Sequence, residues 1–219
     1  MMAALRDVWF KPYIQATGNS LDFLKEVAPK KIVLVGSPEY QNGSFKLGQA
    51  EGGRKILLLN VNNFDASNEN ELKEALHTIV HEFTHILHQT KLFNQEYQTI
   101  STGRYNSNWT LLNDSEARHQ GFITNYAMLN KDEDFAEMVS GILVFGYEWF
   151  KDTVLAEAAK STENPHAKAD LEAKLAIVNS YFKETWNIEF FDNETSGEPG
   201  LESYFRMAIE EVVSNPPTK

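Results

Sequence analysis

Short blocks of hydrophobic residues in the first quarter of the chain predict strands. One block is residues 31–36 (KIVLVG), and another is residues 55–60 (KILLLN). Both are brief apolar runs bounded by turn-forming residues, which is typical of buried strands. Asn42-Gly43 and Gly52-Gly53 are turn signals, and residues 44–47 between them form a further candidate strand. The first quarter is therefore predicted to be mainly a small sheet.

The hydrophobic pattern changes to a helical period near residue 68. Asn68 can cap a helix, and Glu71 follows it at the spacing of a capping box. Apolar residues then recur every three or four positions, and neither Gly nor Pro interrupts them before residue 91. These apolar positions are Leu72, Leu76, Ile79, Phe83 and Leu87. We predict a helix over about residues 69–91.

The remaining segments are mostly helical in pattern. Further helices are predicted over residues 132–143, 166–185 and 201–213, and another begins near Trp149. One short helix, around Leu21 to Val27, is predicted before the strands. Residues 94–115 are polar and aromatic and are predicted to form a long loop beside a cleft. Strands first and helices afterwards indicate an α+β fold, with residues 1–65 rich in sheet and residues 66–219 mainly helical.

Composition excludes several classes of protein. Acidic residues outnumber basic ones by 31 to 20, for a formal net charge of −11, and no Lys and Arg cluster exceeds Lys30-Lys31. Nucleic-acid binding needs clustered cations, so no nucleic-acid partner is expected. The chain has no cysteine, which excludes disulfides and thiolate metal ligands. Its longest apolar stretch, residues 141–150, contains Gly146 and Glu148 and is too short to span a bilayer.

The candidate chemistry lies in His81-Glu82-Phe83-Thr84-His85, within the predicted 69–91 helix. Residues four apart project from one face of a helix, so His81 and His85 can reach one metal ion. Zinc suits imidazole ligands and can keep a position for water. Glu82 projects about 100° away from His81, where it can act on that water as a general base. We predict one zinc ion per chain; the alternative is a solvated polar helix face.

Two other histidines, His77 and His88, lie near the same helix face. His77, His81 and His85 repeat at every fourth position, but one helical turn rises about 5.4 Å. A single zinc ion cannot bind all three without breaking the helix. Only the pair at 81 and 85 has the glutamate in the right place, so His77 and His88 are predicted to be structural or to support the ligands.

A third protein ligand is expected from the second helix, over residues 132–143. Glu133 and Glu137 are four residues apart and share a helix face, whereas Asp134 points away. One carboxylate would bind zinc, and the other would accept the N–H of a ligand histidine and fix its tautomer. The alternative is an ordinary acidic first turn. By residue chemistry alone, Glu133, Glu137 and Glu116 all qualify as the ligand.

These two motifs together resemble the gluzincin arrangement of bacterial lethal-factor-type metalloproteases. In that family a tyrosine precedes the glutamate ligand and a second acid follows it, at the spacing of Tyr126, Glu133 and Glu137 here. The resemblance implies that Glu133 binds zinc and that Glu137 supports a ligand histidine. It also implies that Tyr126 donates its hydroxyl to the developing oxyanion, a role for which His119 is the alternative.

A closer resemblance is to the zinc-binding metallopeptidases described as substrate-import-associated lipoproteins. It rests on residues 121–127 (GFITNYA), residues 133–137 (EDFAE) and the opening strand with residues 35–37 (VGS), and it covers about residues 30–145. It implies a single zincin-like catalytic domain over residues 1–219, in which a small mixed sheet packs on the active-site helix. It also implies a peptide or protein substrate, which an edge strand at residues 44–47 or 55–60 could hold.

The same resemblance implies a lipid-anchored protein of the cell envelope, periplasmic or at the surface, in an import complex. A lipoprotein of this kind carries a signal peptide and a lipidated cysteine, and this sequence has neither. The anchor is therefore predicted for a segment outside this chain, and a cytoplasmic location is the alternative. Two other functional hypotheses remain: a zinc-bearing module that binds peptides or glycans without hydrolysing them, and a structural domain with a chance motif.

Overall fold

Helices dominate the computed structural model, which describes residues 1–37, 39–41, 44–46, 48–51 and 55–217. Within these residues the α-helices are α1 (Met2–Leu5), α2 (Lys11–Ala16), α3 (Asp22–Val27), α4 (Glu69–Thr90), α5 (Glu96–Ile100), α6 (Asp114–His119), α7 (Lys131–Phe145), α8 (Tyr147–Trp149), α9 (Ala156–Ala158), α10 (Ala167–Ser180) and α11 (Leu201–Ser214). Segments of π-helix lie at Arg6–Phe10, Phe150–Leu155 and Tyr181–Thr185, and 3₁₀ turns lie at Val61–Asn63, Trp109–Leu111 and Tyr126–Met128.

The strands form two small sheets. They are β1 (Lys31–Leu34), β2 (Glu39–Gln41), β3 (Ser44–Lys46), β4 (Gly48–Glu51) and β5 (Lys55–Leu58). In the main sheet β5 is central and pairs in parallel with β1 and antiparallel with β4, whereas β2 and β3 form a separate antiparallel pair. The fold is therefore α+β, as the sequence predicts.

The predicted strands differ from the observed ones mainly at their ends. Residues 31–36 and 55–60 are observed as the shorter strands β1 and β5, and residues 44–46 form β3. Leu47 and both predicted turns, at 42–43 and 52–53, lie outside the described residues. The expectation that residues 55–60 form an edge strand is wrong, because β5 is paired on both sides. The edge next to α4 is β4, whose sequence GQAE has no apolar alternation to reveal it.

The helix α4 carries the histidine motif and is capped as the sequence indicates. The Asn68 side chain accepts hydrogen bonds from the backbone nitrogens of Asn70 (3.1 Å) and Glu71 (3.4 Å). Glu71 does not complete the expected capping box: its carboxylate accepts from the Asp65 backbone nitrogen at 2.9 Å instead. All five predicted apolar positions of the helix are buried.

Aromatic packing fixes the rotation of α4 about its axis. Phe83 is fully buried and meets Trp9 and Tyr13 edge-to-face, at ring distances of 5.3 and 5.2 Å. Burial of such a side chain contributes about 1.5–3 kcal/mol. Because Phe83 lies on the face opposite His81 and His85, this packing turns the two histidines toward α7. Trp9 and Tyr13 belong to a helical stretch over residues 2–16 that the sequence did not predict.

The later part of the chain is helical where it was predicted to be. The expected helices at 132–143, 166–185 and 201–213 are observed as α7, as α10 with its π-helical extension, and as α11. The predicted loop at 94–115 contains α5, one 3₁₀ turn and the start of α6. In the part of the chain that the structure describes, none of the helices meets the length and hydrophobicity that a bilayer crossing requires.

Candidate metal centre

Three side-chain atoms from α4 and α7 converge on one point. His81 Nε2 and His85 Nε2 are 3.1 Å apart, and Glu133 Oε2 lies 2.9 Å from the first nitrogen and 3.1 Å from the second. Among the described residues, these three form the group of His, Asp and Glu side chains that is close enough to share a metal ion. All three side chains are largely shielded from solvent.

The two helices place these atoms by ordinary local rules. His81 and His85 are one turn apart on α4, and their ring centroids are 4.8 Å apart. On α7 the Asn130 side chain accepts from the backbone nitrogens of Asp132 (2.8 Å) and Glu133 (3.1 Å). That cap starts α7 so that Glu133 lies in its first turn, where the helix dipole favours a carboxylate. The packing of α4 against α7 then brings Glu133 onto the histidine pair.

Glu137, one turn after Glu133, holds the orientation of His81. Its Oε1 lies 2.7 Å from His81 Nδ1, and its Oε2 accepts a hydrogen bond of 2.7 Å from the Thr124 hydroxyl. An ionised carboxylate only accepts hydrogen bonds, so His81 must carry its hydrogen on Nδ1. The other ring nitrogen, Nε2, is directed at Glu133 and His85, where it can bind a metal ion in place of a proton.

His88 plays the equivalent part for His85. His88 Nε2 lies 2.9 Å from His85 Nδ1. Burial, followed by the neighbouring His85, lowers the pKa of His88 to about 4, so its ring is neutral at pH 7. A neutral His88 can accept the Nδ1–H of His85, which leaves the Nε2 lone pair of His85 free to bind a metal.

This set of donor atoms fits zinc. Three lone-pair atoms that face one another at about 3 Å repel unless a cation or a proton lies among them. Tetrahedral zinc with ligand distances of about 2.0–2.1 Å separates its ligand atoms by about 3.3 Å. The observed separations of 2.9–3.1 Å are close to that value. Two imidazoles and one carboxylate leave a fourth position for water, as in catalytic zinc sites.

The electrostatics of the centre also favour a cation. Burial by itself lowers the pKa of His81, but hydrogen bonds to Glu133 and Glu137 outweigh it and raise that pKa to about 10. Burial likewise raises the pKa of Glu133, but His81 and His85 outweigh it and hold that pKa below its usual range. Burial raises the pKa of Glu137 too, but His77 and His81 outweigh it and lower that pKa to about 2. Both carboxylates are therefore ionised at neutral pH, and they favour a positive charge between them, which either a protonated His81 or a metal ion supplies.

Glu82 lies beside the centre, under the edge strand β4. It follows His81 on α4 and is therefore turned about 100° from it, partly exposed. A Cβ atom on Gly48 of β4 would come within 2.3 Å of Thr78 Cγ2 and within 3.7 Å of Glu82 Cγ. Only a glycine allows the backbone of β4 to approach α4 this closely. The Glu82 side chain thus packs against the sheet edge at β4, one residue along α4 from His81.

Tyr126 also lies beside the centre, next to His81. Its ring centroid is 5.7 Å from that of His81, and Trp109 packs edge-to-face on it at 4.9 Å. Burial raises the pKa of the Tyr126 hydroxyl, and the negative charges of Glu133 and Glu82 add to this effect. The hydroxyl is therefore protonated at neutral pH, and it can donate a hydrogen bond near the centre.

Two of the alternative residues, Glu116 and His119, do not join the triad among the described residues. The Glu116 carboxylate accepts a hydrogen bond of 2.8 Å from the Asn113 backbone nitrogen and closes a capping box at the start of α6. The His119 backbone carbonyl accepts from the Ser161 hydroxyl at 2.6 Å, and none of the described contacts joins the His119 side chain to the triad. Neither residue belongs to the group of converging donors.

His77 and Thr124 complete the polar surroundings of Glu137. His77 Nε2 lies 3.1 Å from the Ser140 hydroxyl and 3.7 Å from Glu137 Oε1, so His77 approaches the supporting carboxylate rather than the triad. Sequence reasoning did not single out Thr124, although it lies in the motif at residues 121–127. The Thr124 hydroxyl also accepts a hydrogen bond of 3.2 Å from the Ala127 backbone nitrogen. This turn, and with it the approach of Thr124 to Glu137, is visible only in the folded structure.

Comparison with known proteins shows the family of this chain. The model of a family described as "Putative zinc-binding metallo-peptidase" matches residues 1–191. A crystal structure of a putative zinc-binding metallo-peptidase from Bacteroides caccae, at 2.10 Å resolution, is similar, with a TM-score of 0.78 and 29% identity over 98% of this chain and 77% of that one. No curated protein matches significantly. The chain belongs to the family of zinc-binding metallo-peptidases that this model describes.

Proposed function

We propose that this protein is a zinc metallopeptidase that hydrolyses peptide bonds with an activated water, within one zincin-like catalytic domain. The observation that carries the proposal is the convergence of His81 Nε2, His85 Nε2 and Glu133 Oε2 from two packed helices. Three such donors are the protein ligands that one catalytic zinc ion takes. Membership of a zinc-binding metallo-peptidase family supports the same conclusion.

The neighbouring residues divide the chemistry among them. Zinc, when bound, lowers the pKa of a water ligand to about 7 and polarises the scissile carbonyl. Glu82 takes the proton from the attacking water and delivers it to the leaving amine nitrogen. Tyr126 donates its hydroxyl to the oxyanion of the tetrahedral intermediate. Glu137 holds a hydrogen of His81 on Nδ1, so that Nε2 is the nitrogen that binds zinc.

The strand β4 is the proposed binding edge for an extended peptide. It lies at the edge of the main sheet, and its first residue, Gly48, lies beside Glu82. A peptide that pairs with an edge strand gains main-chain hydrogen bonds whatever its side chains are. The proposed substrate is accordingly a peptide or protein. The cell-envelope location and the import complex stay predictions from the family resemblance.

Metal content and turnover, measured on the same protein, test the proposal. Elemental analysis is expected to find about one zinc per chain in the wild type and almost none in His81→Ala, which lacks a ligand. The zinc-loaded wild type is expected to cleave members of a broad peptide library, and His81→Ala is not. Wild-type protein without zinc after incubation with the metal would overturn the proposal. Zinc with peptide binding but no cleavage would instead favour the non-catalytic module.

Replacing Tyr126 with Phe removes the proposed oxyanion donor and little else. A preorganised donor of this kind is worth about 10²–10³ in kcat, so we expect a loss of that size with KM and zinc content nearly unchanged. Steady-state kinetics on a cleaved library peptide measure it. Tyr147→Phe, at a partly exposed tyrosine away from the centre, is the matched control. An unchanged kcat in Tyr126→Phe would contradict the role and return attention to His119.

A further inference from the structure

A fully buried ion pair joins α10 to α7, the helix that carries Glu133. Lys174 on α10 and Asp134 on α7 both have no exposed side-chain surface, and Lys174 Nζ lies 2.7 Å from Asp134 Oδ2. Asp134 follows the proposed ligand Glu133 in the chain and is turned about 100° from it around α7. The pair therefore attaches α10 to the first turn of α7, where the proposed ligand Glu133 lies.

The same ammonium group holds a second segment of the centre. Lys174 Nζ donates a hydrogen bond of 2.8 Å to the Gly121 carbonyl, and it lies 4.1 Å from the centroid of the Phe122 ring. Gly121 has a φ of +85°, so it forms the turn that begins the segment leading to Thr124 and Tyr126. One buried cation thus contacts both the ligand helix and the segment that carries the tyrosine.

Further hydrogen bonds and an ion pair stabilise the positions of Asp134 and Lys174. The Tyr97 hydroxyl donates to the Asp134 backbone carbonyl at 3.0 Å, and the Tyr105 hydroxyl donates to Asp134 Oδ2 at 3.2 Å. One turn before Lys174 on α10, Asp170 forms an ion pair of 2.7 Å with Arg104. The segment at 101–105, α7 and α10 therefore meet at the Asp134 carboxylate.

Stability alone does not account for such a pair. Removing two charges from water carries a penalty that their attraction offsets only in part, and apolar replacements of buried pairs are often neutral or stabilising. What an apolar pair lacks is direction: an ammonium group fixes where a carboxylate and a carbonyl lie, whereas methyl groups do not. The main effect of Lys174 is therefore to fix the positions of the Asp134 carboxylate and the Gly121 carbonyl.

We propose that Lys174 is a positioning residue of the zinc centre, which acts through Asp134 on Glu133 and through the Gly121 carbonyl on the segment that carries Tyr126. Lys174 does not contact the metal or the substrate. The inference rests on the function proposed above, and it assigns the helix α10 a role in that function.

The double variant Lys174→Met/Asp134→Leu tests the proposal, because it removes both charges and leaves neither one buried alone. Competition with a chromophoric chelator is expected to show zinc affinity at least tenfold weaker than in the wild type, the lower end of the about 10–100-fold loss typical of groups behind metal ligands. The visible absorption spectrum of the Co²⁺-substituted protein is expected to change as well, because it reports ligand geometry. Thermal unfolding of the metal-free protein checks that the variant folds, and a modest loss of stability is expected because the Gly121 carbonyl and the Tyr105 hydroxyl lose a buried partner.

Leu171→Ala is the matched control, since Leu171 is a fully buried apolar residue one turn earlier on the same helix and carries no polar group. It is expected to lower thermal stability while keeping the zinc affinity and Co²⁺ spectrum of the wild type. If Lys174→Met/Asp134→Leu does not fold, the polar pair Lys174→Gln/Asp134→Asn replaces it, with the same two measurements. Wild-type affinity and spectrum in the double variant overturn this inference alone, whereas a wild type that binds no zinc overturns the proposed function with it.

Discussion

Glu82→Gln is expected to keep zinc bound while losing nearly all peptide hydrolysis. Glutamine has almost the same shape but cannot take a proton from water at neutral pH, and a positioned general base contributes about 10²–10⁴-fold to the rate. Glu82 is not one of the three converging donors, so zinc content should be unchanged. Elemental analysis and kcat for a cleaved library peptide, measured on the same preparation, give both quantities.

The control for this variant is Glu74→Gln, at an exposed glutamate two turns earlier on α4. It removes the same charge from the same helix without touching the centre, so its kcat should equal that of the wild type. Retained hydrolysis in Glu82→Gln would contradict the general-base role, whatever the metal content. Loss of zinc in that variant would show instead that Glu82 supports the metal.

Those parts of the centre that depend on local helix geometry could be predicted from the sequence. The spacing of His81 and His85 puts their rings on one face of any helix, and the structure brings their Nε2 atoms to 3.1 Å. Asn68 and the apolar stripe that follows it were enough to place that helix. The choice between Glu133 and Glu137 as the metal ligand cannot be made in this way, because it depends on how α7 is rotated against α4. The residue types alone allow either carboxylate to be the ligand.

What the sequence could not show are contacts between residues far apart in the chain. Nothing near Lys174 indicates that it lies against Asp134, since a lysine in a polar helix pattern is ordinarily exposed. The strand β4 has no hydrophobic alternation, and its place at the sheet edge comes from pairing with β5. The helical stretch over residues 2–16 likewise depends on burial of Trp9 and Tyr13 against Phe83.

Glu133→Ala is expected to weaken zinc binding far more than Glu137→Ala. The first change removes the carboxylate whose Oε2 lies within 3.1 Å of both histidine nitrogens, so the site loses one of three ligands. The second leaves all three ligands and removes only the acceptor for His81 Nδ1–H and for the Thr124 hydroxyl. Loss of such a supporting group typically weakens metal binding by about 10–100-fold, and Glu133→Ala should exceed that range.

Chelator competition on both variants under one set of conditions decides the order, and Glu137→Gln sharpens the comparison. A glutamine oxygen can still accept the Nδ1–H of His81, so this variant should recover much of the affinity that Glu137→Ala loses. Glu133→Gln should not recover in the same way, because a neutral amide is a poor zinc ligand beside two imidazoles. If Glu137→Ala binds zinc more weakly than Glu133→Ala, the ligand is Glu137, and the positions of the two carboxylates must be exchanged in the mechanism.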